Sequence, residues 1–83
     1  MAENSETVQA VEKAIRVLEY LAEHGDCGVS DLARAIGGQK STVFRLLSTL
    51  KEAGYILQDG ETEKYCLSLK LFRIGSGAIR NLD

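Results

Sequence analysis

The chain has 83 residues, of which 45% are hydrophobic and 27% charged, the balance of a single globular domain near the lower size limit for one core. Its longest apolar runs are far too short for a membrane span, and its acidic, polar first residues, Met-Ala-Glu-Asn-Ser-Glu, do not begin a signal peptide, so the expected location is cytoplasmic. Net charge is −2 with a pI near 5.4, which taken alone argues against nucleic acid.

The distribution of that charge says more than its sum. Residues 1–26 carry six acids against two bases, and residues 55–67 carry three acids against one base. Residues 38–54 and 68–83 each carry a net +2. The two cysteines, Cys27 and Cys66, lack the spacing and the histidine neighbours of a zinc site and read as small buried thiols, so no metal and no cofactor are expected. One histidine, no ligand cluster and no glycine-rich phosphate loop leave no catalytic constellation, and the chain is not read as an enzyme.

In chain order, residues 1–5 are expected to be disordered. A first helix is predicted from Glu6 to His24, with Val8, Val11, Ile15, Leu18, Leu21 and Ala22 as its apolar stripe, widened by Ala14 and Val17. Lys13 and Arg16 are expected to face solvent, and His24 suits the negative end of the helix dipole. Gly25 to Gly28 forms a turn, and Cys27 and Val29 fit one short strand. Ser30 is the expected N-cap of a helix over Asp31–Ile36. Gly37-Gly38 then leads into the next helix.

That third helix, within Gly38–Gly54, is the stretch that carries chemistry. Val43, Leu46, Leu47, Leu50 and Ala53 share one face. Ser41, Arg45, Ser48 and Glu52 share the opposite one. Its first turn gathers the donors Gln39, Lys40, Ser41 and Thr42, where free helix N–H groups already favour phosphate. Two short helices joined by a tight glycine turn form a helix-turn-helix, the second being the reading helix. Arg45 and the Gln39/Thr42 edge are placed to read bases, while Lys40 and Ser41 suit phosphates. Phe44 sits beside that edge, either against a thymine methyl or packed on a neighbouring helix or the following hairpin.

Two strand-like runs, Tyr55–Gln58 and Glu63–Leu67, flank Asp59-Gly60 and predict a hairpin, with Tyr65 and Leu67 on its core face. A hairpin after a helix-turn-helix is a wing. Its tip holds Asp59, Glu61 and Glu63, with Lys64 the one cation available for DNA. Residues 68–82 return to helix with Ser68 as N-cap. Leu71, Ile74 and Ala78 are expected to pack on the domain. Phe72, Ile79 and Leu82 are then left over, and together with Val8 and Val11 they are the candidate dimer interface.

Ala14–Ala22, Val29–Gly37, Lys40–Leu50, Gly54-Tyr55-Ile56 and Tyr65-Cys66-Leu67, in this order and spacing, resemble the N-terminal winged helix-turn-helix of the IclR family of bacterial transcriptional regulators. The resemblance covers roughly residues 8–82, and the Lys-Ser-Thr-Val-Phe-Arg-Leu-Leu run from Lys40 to Leu47 is its most specific part. It implies a mainly α fold with a small β-hairpin: a three-helix core plus wing over 6–67, then a linker helix over 68–83. It implies DNA contacts at Gln39, Lys40, Ser41, Thr42 and Arg45, with Ser30 on phosphate. It also implies a homodimer on a palindromic double-stranded operator, and a small-molecule effector bound by a C-terminal domain absent from this chain. Two features depart from the family pattern. Gln39 stands where the family often has proline, and the wing is acidic where the family's is often basic. The acidic wing and low pI leave one alternative, a winged-helix protein-interaction module that does not bind DNA.

Overall fold

The structure is a computed structural model and describes residues 7–82. Its elements are α1 (Gln9–His24), α2 (Val29–Ile36), α3 (Lys40–Glu52), β1 (Ile56–Gln58), β2 (Tyr65–Leu67) and α4 (Lys70–Arg80). The fold is the expected one: three helices, a two-stranded antiparallel wing and a trailing helix. The expectation of disorder at residues 1–5 lies outside the described residues. Among those described, no helix is long and apolar enough to cross a membrane.

The core is built from one or two residues of nearly every element. Val17 and Leu21 of α1, Leu32 and Ile36 of α2, Val43 and Leu47 of α3, Ile56 of β1 and Tyr65 of β2 are buried together with Cys27. A spacing of four residues puts each helical pair on one face, and burying such side chains contributes about 1.5–3 kcal/mol apiece.

α1 differs from its expected form at both its start and its face. The first helical residue is Gln9, because Val8 holds an extended backbone (φ −100°, ψ 120°) and serves as the cap. The predicted start at Glu6 lies outside the described residues. The buried side is Val17 and Leu21, whereas Val8, Val11 and Ile15 are 61%, 55% and 48% exposed and Ala22 is exposed. The apolar stripe is wide enough to offer two faces, and the domain takes the one centred on Val17.

Between α1 and α2 the predicted strand shrinks to a single bridge. Cys27 N–H donates to the Tyr65 carbonyl at 3.1 Å, and Tyr65 N–H donates to the Cys27 carbonyl at 2.8 Å. The bridge fixes where the chain leaves the sheet, so Gly28 becomes the cap and α2 begins at Val29. Ser30 is therefore not the N-cap. It is the second residue of the helix and exposed.

The turn between α2 and α3 runs through Gly37 (φ +79°) and Gly38 (φ +119°), both in the region that favours glycine. α3 ends at Glu52 with Ala53 as its cap residue, and Gly54, expected to cap it, follows one residue later with φ +89°.

The wing pairs Ile56 with Leu67, Leu57 with Cys66 and Gln58 with Tyr65. Its tip is a six-residue loop over 59–64 rather than a tight Asp-Gly turn. The Asp59 carboxylate accepts from the N–H groups of Glu61 (3.0 Å) and Thr62 (2.7 Å), and the left-handed residue is Glu63, not Gly60.

α4 begins at Lys70, with Leu69 at the cap position in place of Ser68. Ser68 still anchors the root: its hydroxyl donates to the Gly54 carbonyl at 2.5 Å and accepts from Lys70 N–H at 3.2 Å. Lys70 Nζ donates to the Ala53 carbonyl at 2.7 Å and lies 5.0 Å above the Tyr55 ring. These bonds hold the first turn to the end of α3 and send the rest outward. No α4 residue is fully buried: of the three expected to pack on the domain, Leu71 is half-buried, while Ile74 and Ala78 stay exposed.

Candidate nucleic-acid interface

Val43 and Leu47 turn α3 so that its polar side faces out. Gln39, Lys40, Ser41, Thr42, Arg45, Ser48 and Glu52 are all exposed. At the helix start, Gln39 holds an extended backbone (φ −78°, ψ 145°) and its side chain makes no capping bond. The first turn contains no acid, so the positive end of the helix dipole stands next to the Lys40 ammonium without a counter-charge on its own turn. Thr42 and Arg45 share a shallow depression with Ala10 of α1 and with Leu46 and Thr49.

Ser30 and Phe44 meet across a second depression of about 260 Å³ between the start of α2, α3 and the wing, which also takes in Val29, Gln58, Thr62 and Glu63. Phe44 is 52% exposed there, lying between the two surroundings expected for it. Lys64 is exposed on the wing, beside the acidic tip. Three hydrogen bonds hold the Asp59 carboxyl below the usual carboxylate range: the Thr62 N–H first, then the Glu61 N–H and the Thr62 hydroxyl. Asp59 therefore keeps its charge at neutral pH.

Two buried groups stand behind this surface in neutral form. Burial, then Asp31 and Asp26, push the Cys27 thiol up. Burial, then Glu63, push the Tyr65 phenol up, with a hydrogen bond from Gln58 acting the other way. Both cysteines are free; Cys27 is buried as expected, but Cys66 is only partly so.

Several residues that position α3 were not visible in the sequence. Arg16, expected in solvent, donates from Nη2 to the Ile36 carbonyl at 2.8 Å. Lys13, also expected in solvent, brings its Nζ to 3.0 Å from where a Cβ on Gly38 would stand. Lys51 Nζ donates to Gln58 Oε1 at 2.9 Å, and Gln58 Nε2 donates to the Glu63 carbonyl at 3.1 Å, tying the last turn of α3 to the wing. None of these partners lies within helical spacing of its donor, so no periodic signal marks them. His24 does end α1, stacked on Tyr20 with ring centroids 4.1 Å apart.

A helix-turn-helix with an exposed polar second helix and a hairpin behind it narrows the family, and residues 10–60 match the IclR helix-turn-helix domain. The chain belongs to the IclR helix-turn-helix family. The IclR match contains α1 from its second residue on, and all of α2, α3 and β1. Similarity to individual IclR-type proteins extends further along the chain. The HTH-type transcriptional regulator KdgR of Escherichia coli (strain K12) is 42% identical over 78 residues, which is 94% of this chain and 30% of that protein. KdgR of Dickeya chrysanthemi is also 42% identical over 78 residues, 94% of this chain and 26% of that protein. The crystal structure of an IclR family transcriptional regulator from Brucella abortus superimposes with a TM-score of 0.86 at 30% identity, covering 99% of this chain and 32% of that one. The likeness therefore takes in β2 and α4 as well. The chain spans between a quarter and a third of the length of these relatives.

Proposed function

We propose that this IclR-family chain is the DNA-reading part of a transcriptional regulator, working in the cytoplasm, with α3 in the major groove of a double-stranded operator. The observation that carries the proposal is the outer side of α3. An acid-free helix start with Lys40, Ser41 and Thr42 exposed offers phosphate contacts, and Gln39, Thr42 and Arg45 offer a readable edge beside it. Ser30 contributes a phosphate contact from the start of α2, Phe44 an apolar one, and Lys64 the wing's single cation.

In the same reading residues 6–67 are the winged helix-turn-helix and 68–83 the linker to an effector-binding domain outside this chain, which takes a small molecule. The chain works as a homodimer on a palindromic site, so that two copies of α3 meet half-sites one DNA turn or a multiple apart. Val8, Val11, Phe72, Ile79 and Leu82 supply the dimer contact, supported by the exposure of all five.

The test is salt dependence. Neutralising phosphates releases counterions, so affinity for duplex DNA should fall steeply as salt rises, and Lys40→Ala should reduce the log–log slope by about one unit. The acidic wing favours the competing reading, docking on a protein partner. Apolar docking predicts no such slope, and salt-independent binding would replace the DNA reading with it.

A further inference from the structure

Residues 1–26 hold only two bases, Lys13 and Arg16, and the fold brings both to one place, the turn between α2 and α3. Arg16 donates to the Ile36 carbonyl at 2.8 Å. Lys13 stands three residues earlier on α1, and its Nζ lies 3.0 Å from where a Cβ on Gly38 would be. Gly38 carries no Cβ and holds φ +119°. The same glycine therefore turns the chain and leaves room for the ammonium. The Lys13 side chain is half-buried, so its stem is packed and its head is kept at the turn.

The charges around that turn are one-sided. Residues 32–51 contain no acid. Among the described residues no carboxylate lies within 4 Å of Lys13 or Lys40; Glu23 faces His24 and Asp31 faces Arg34. Glu12 shares a depression with Ile15 and Arg16, and around the helix Arg16 stands between Glu12 and Lys13. Gly38 precedes Lys40 by two residues, at most about 7.6 Å along the chain. Two ammonium groups from different helices thus converge on the start of α3, where the helix dipole is already positive. Lys51 and Lys70 differ: each ammonium is bonded to an oxygen of the chain, at 2.9 and 2.7 Å. An anion at the start of α3 would relieve the like charges, and Lys13 would meet it from the α1 side.

We infer that Lys13 is a DNA-contacting residue, which meets from α1 a backbone phosphate of the strand that Lys40 contacts from α3. The inference rests on the DNA reading above and adds to it a residue outside the two helices of the helix-turn-helix. A phosphate run held by both lysines is gripped by α1 and α3 together, so the contact resists rotation of α3 in the groove. It fixes affinity and register and carries no base information.

Salt titration of duplex binding by the 83-residue chain tests the contact. Lys13→Gln, which keeps most of the stem and removes the charge, should reduce the log–log slope by about one unit. Between 50 and 200 mM salt that reads as a loss of affinity about fourfold smaller than in the unaltered chain. Lys13→Arg should keep the slope, and Lys13→Gln with Lys40→Ala should lower it by about two units. Arg80→Gln makes the same charge change at the far end of α4 and should leave the slope alone. A second measurement uses the duplex that the unaltered chain enriches from a random pool, with single phosphates replaced by neutral methylphosphonates. One replacement, on the strand that Lys40 contacts, should weaken the unaltered chain and leave Lys13→Gln unaffected. A slope unchanged in Lys13→Gln would overturn the contact, as would an equal fall in Arg80→Gln. Relaxed preference at a base pair would overturn it too, because Lys13 would then be reading a base. Binding by the unaltered chain that ignores salt would sink the DNA reading itself, whereas a steep slope that survives Lys13→Gln would sink this contact alone.

Discussion

The guanidinium of Arg16 on α1 donates to the main-chain carbonyl of Ile36, the last residue of α2, at 2.8 Å. The final carbonyls of a helix lack intrahelical partners, so a cation there satisfies an orphan acceptor and meets the negative end of the dipole. The bond ties the first helix to the turn that aims α3. Arg16→Ala should cost about 1 kcal/mol of stability, read as a lower urea midpoint at an unchanged slope. Affinity for all DNA sequences should fall alike, because the side chain acts through the pose of α3. An unchanged midpoint would mean the contact contributes nothing.

Gly38 gives the second prediction. Its φ of +119° is strained for any residue with a Cβ, and the nearest atom to that Cβ is the end of the Lys13 chain, which can move aside. Gly38→Ala should therefore destabilise by about 1–2 kcal/mol through the backbone alone. The double change with Lys13→Ala should be no better than additive. Rescue by Lys13→Ala would show that crowding, not φ, sets the cost.

The wing tip should loosen in acid. Asp59 is held below the usual carboxylate range, so its contribution is complete above the ordinary Asp value of about 3.9 and is lost as pH falls through the lowered folded value. Amide exchange at Glu61 and Thr62, corrected for intrinsic rates, should speed up over that acid window, and Asp59→Asn should show less of the change. Protection that does not vary with pH would contradict the role given to the carboxylate.

The acidic tip also sets a forecast for binding. Glu61 and Glu63 face any phosphate backbone the wing approaches, so Glu61→Lys should strengthen non-specific duplex binding and steepen its salt slope. No change in either would place the tip away from DNA.

How much of this was legible in the sequence differs from element to element. The two faces of α3 could be read directly, because Val43 and Leu47 are spaced by one turn and glycines bound the segment on both sides. The wing could be read from alternation around Tyr65 and Leu67. The orientation of α1 could not, since apolar residues cover two adjoining faces and only packing against Leu32 and Tyr65 selects the one at Val17 and Leu21. Ser30 is a good capping residue in isolation, but the bridge from Cys27 to Tyr65 moves the start of α2 ahead of it. Lys13 and Arg16 look like solvent charges until the turn at Ile36–Gly38 is brought against them. α4 was expected to be partly used up on the core, whereas the bonds of Ser68 and Lys70 hold its root and leave all its large apolar side chains but the half-buried Leu71 outside.

The most direct test of the account is selection from a randomised duplex pool by the unaltered chain and by Arg45→Ala. The unaltered chain should enrich a palindrome and lose affinity steeply with salt. Arg45→Ala should cost about 1–3 kcal/mol and relax one base pair in each half-site while the rest of the palindrome is kept. Affinity that falls equally for every sequence would reduce Arg45 to a phosphate contact, and no enrichment by either protein would contradict the assignment of α3 as the reading helix.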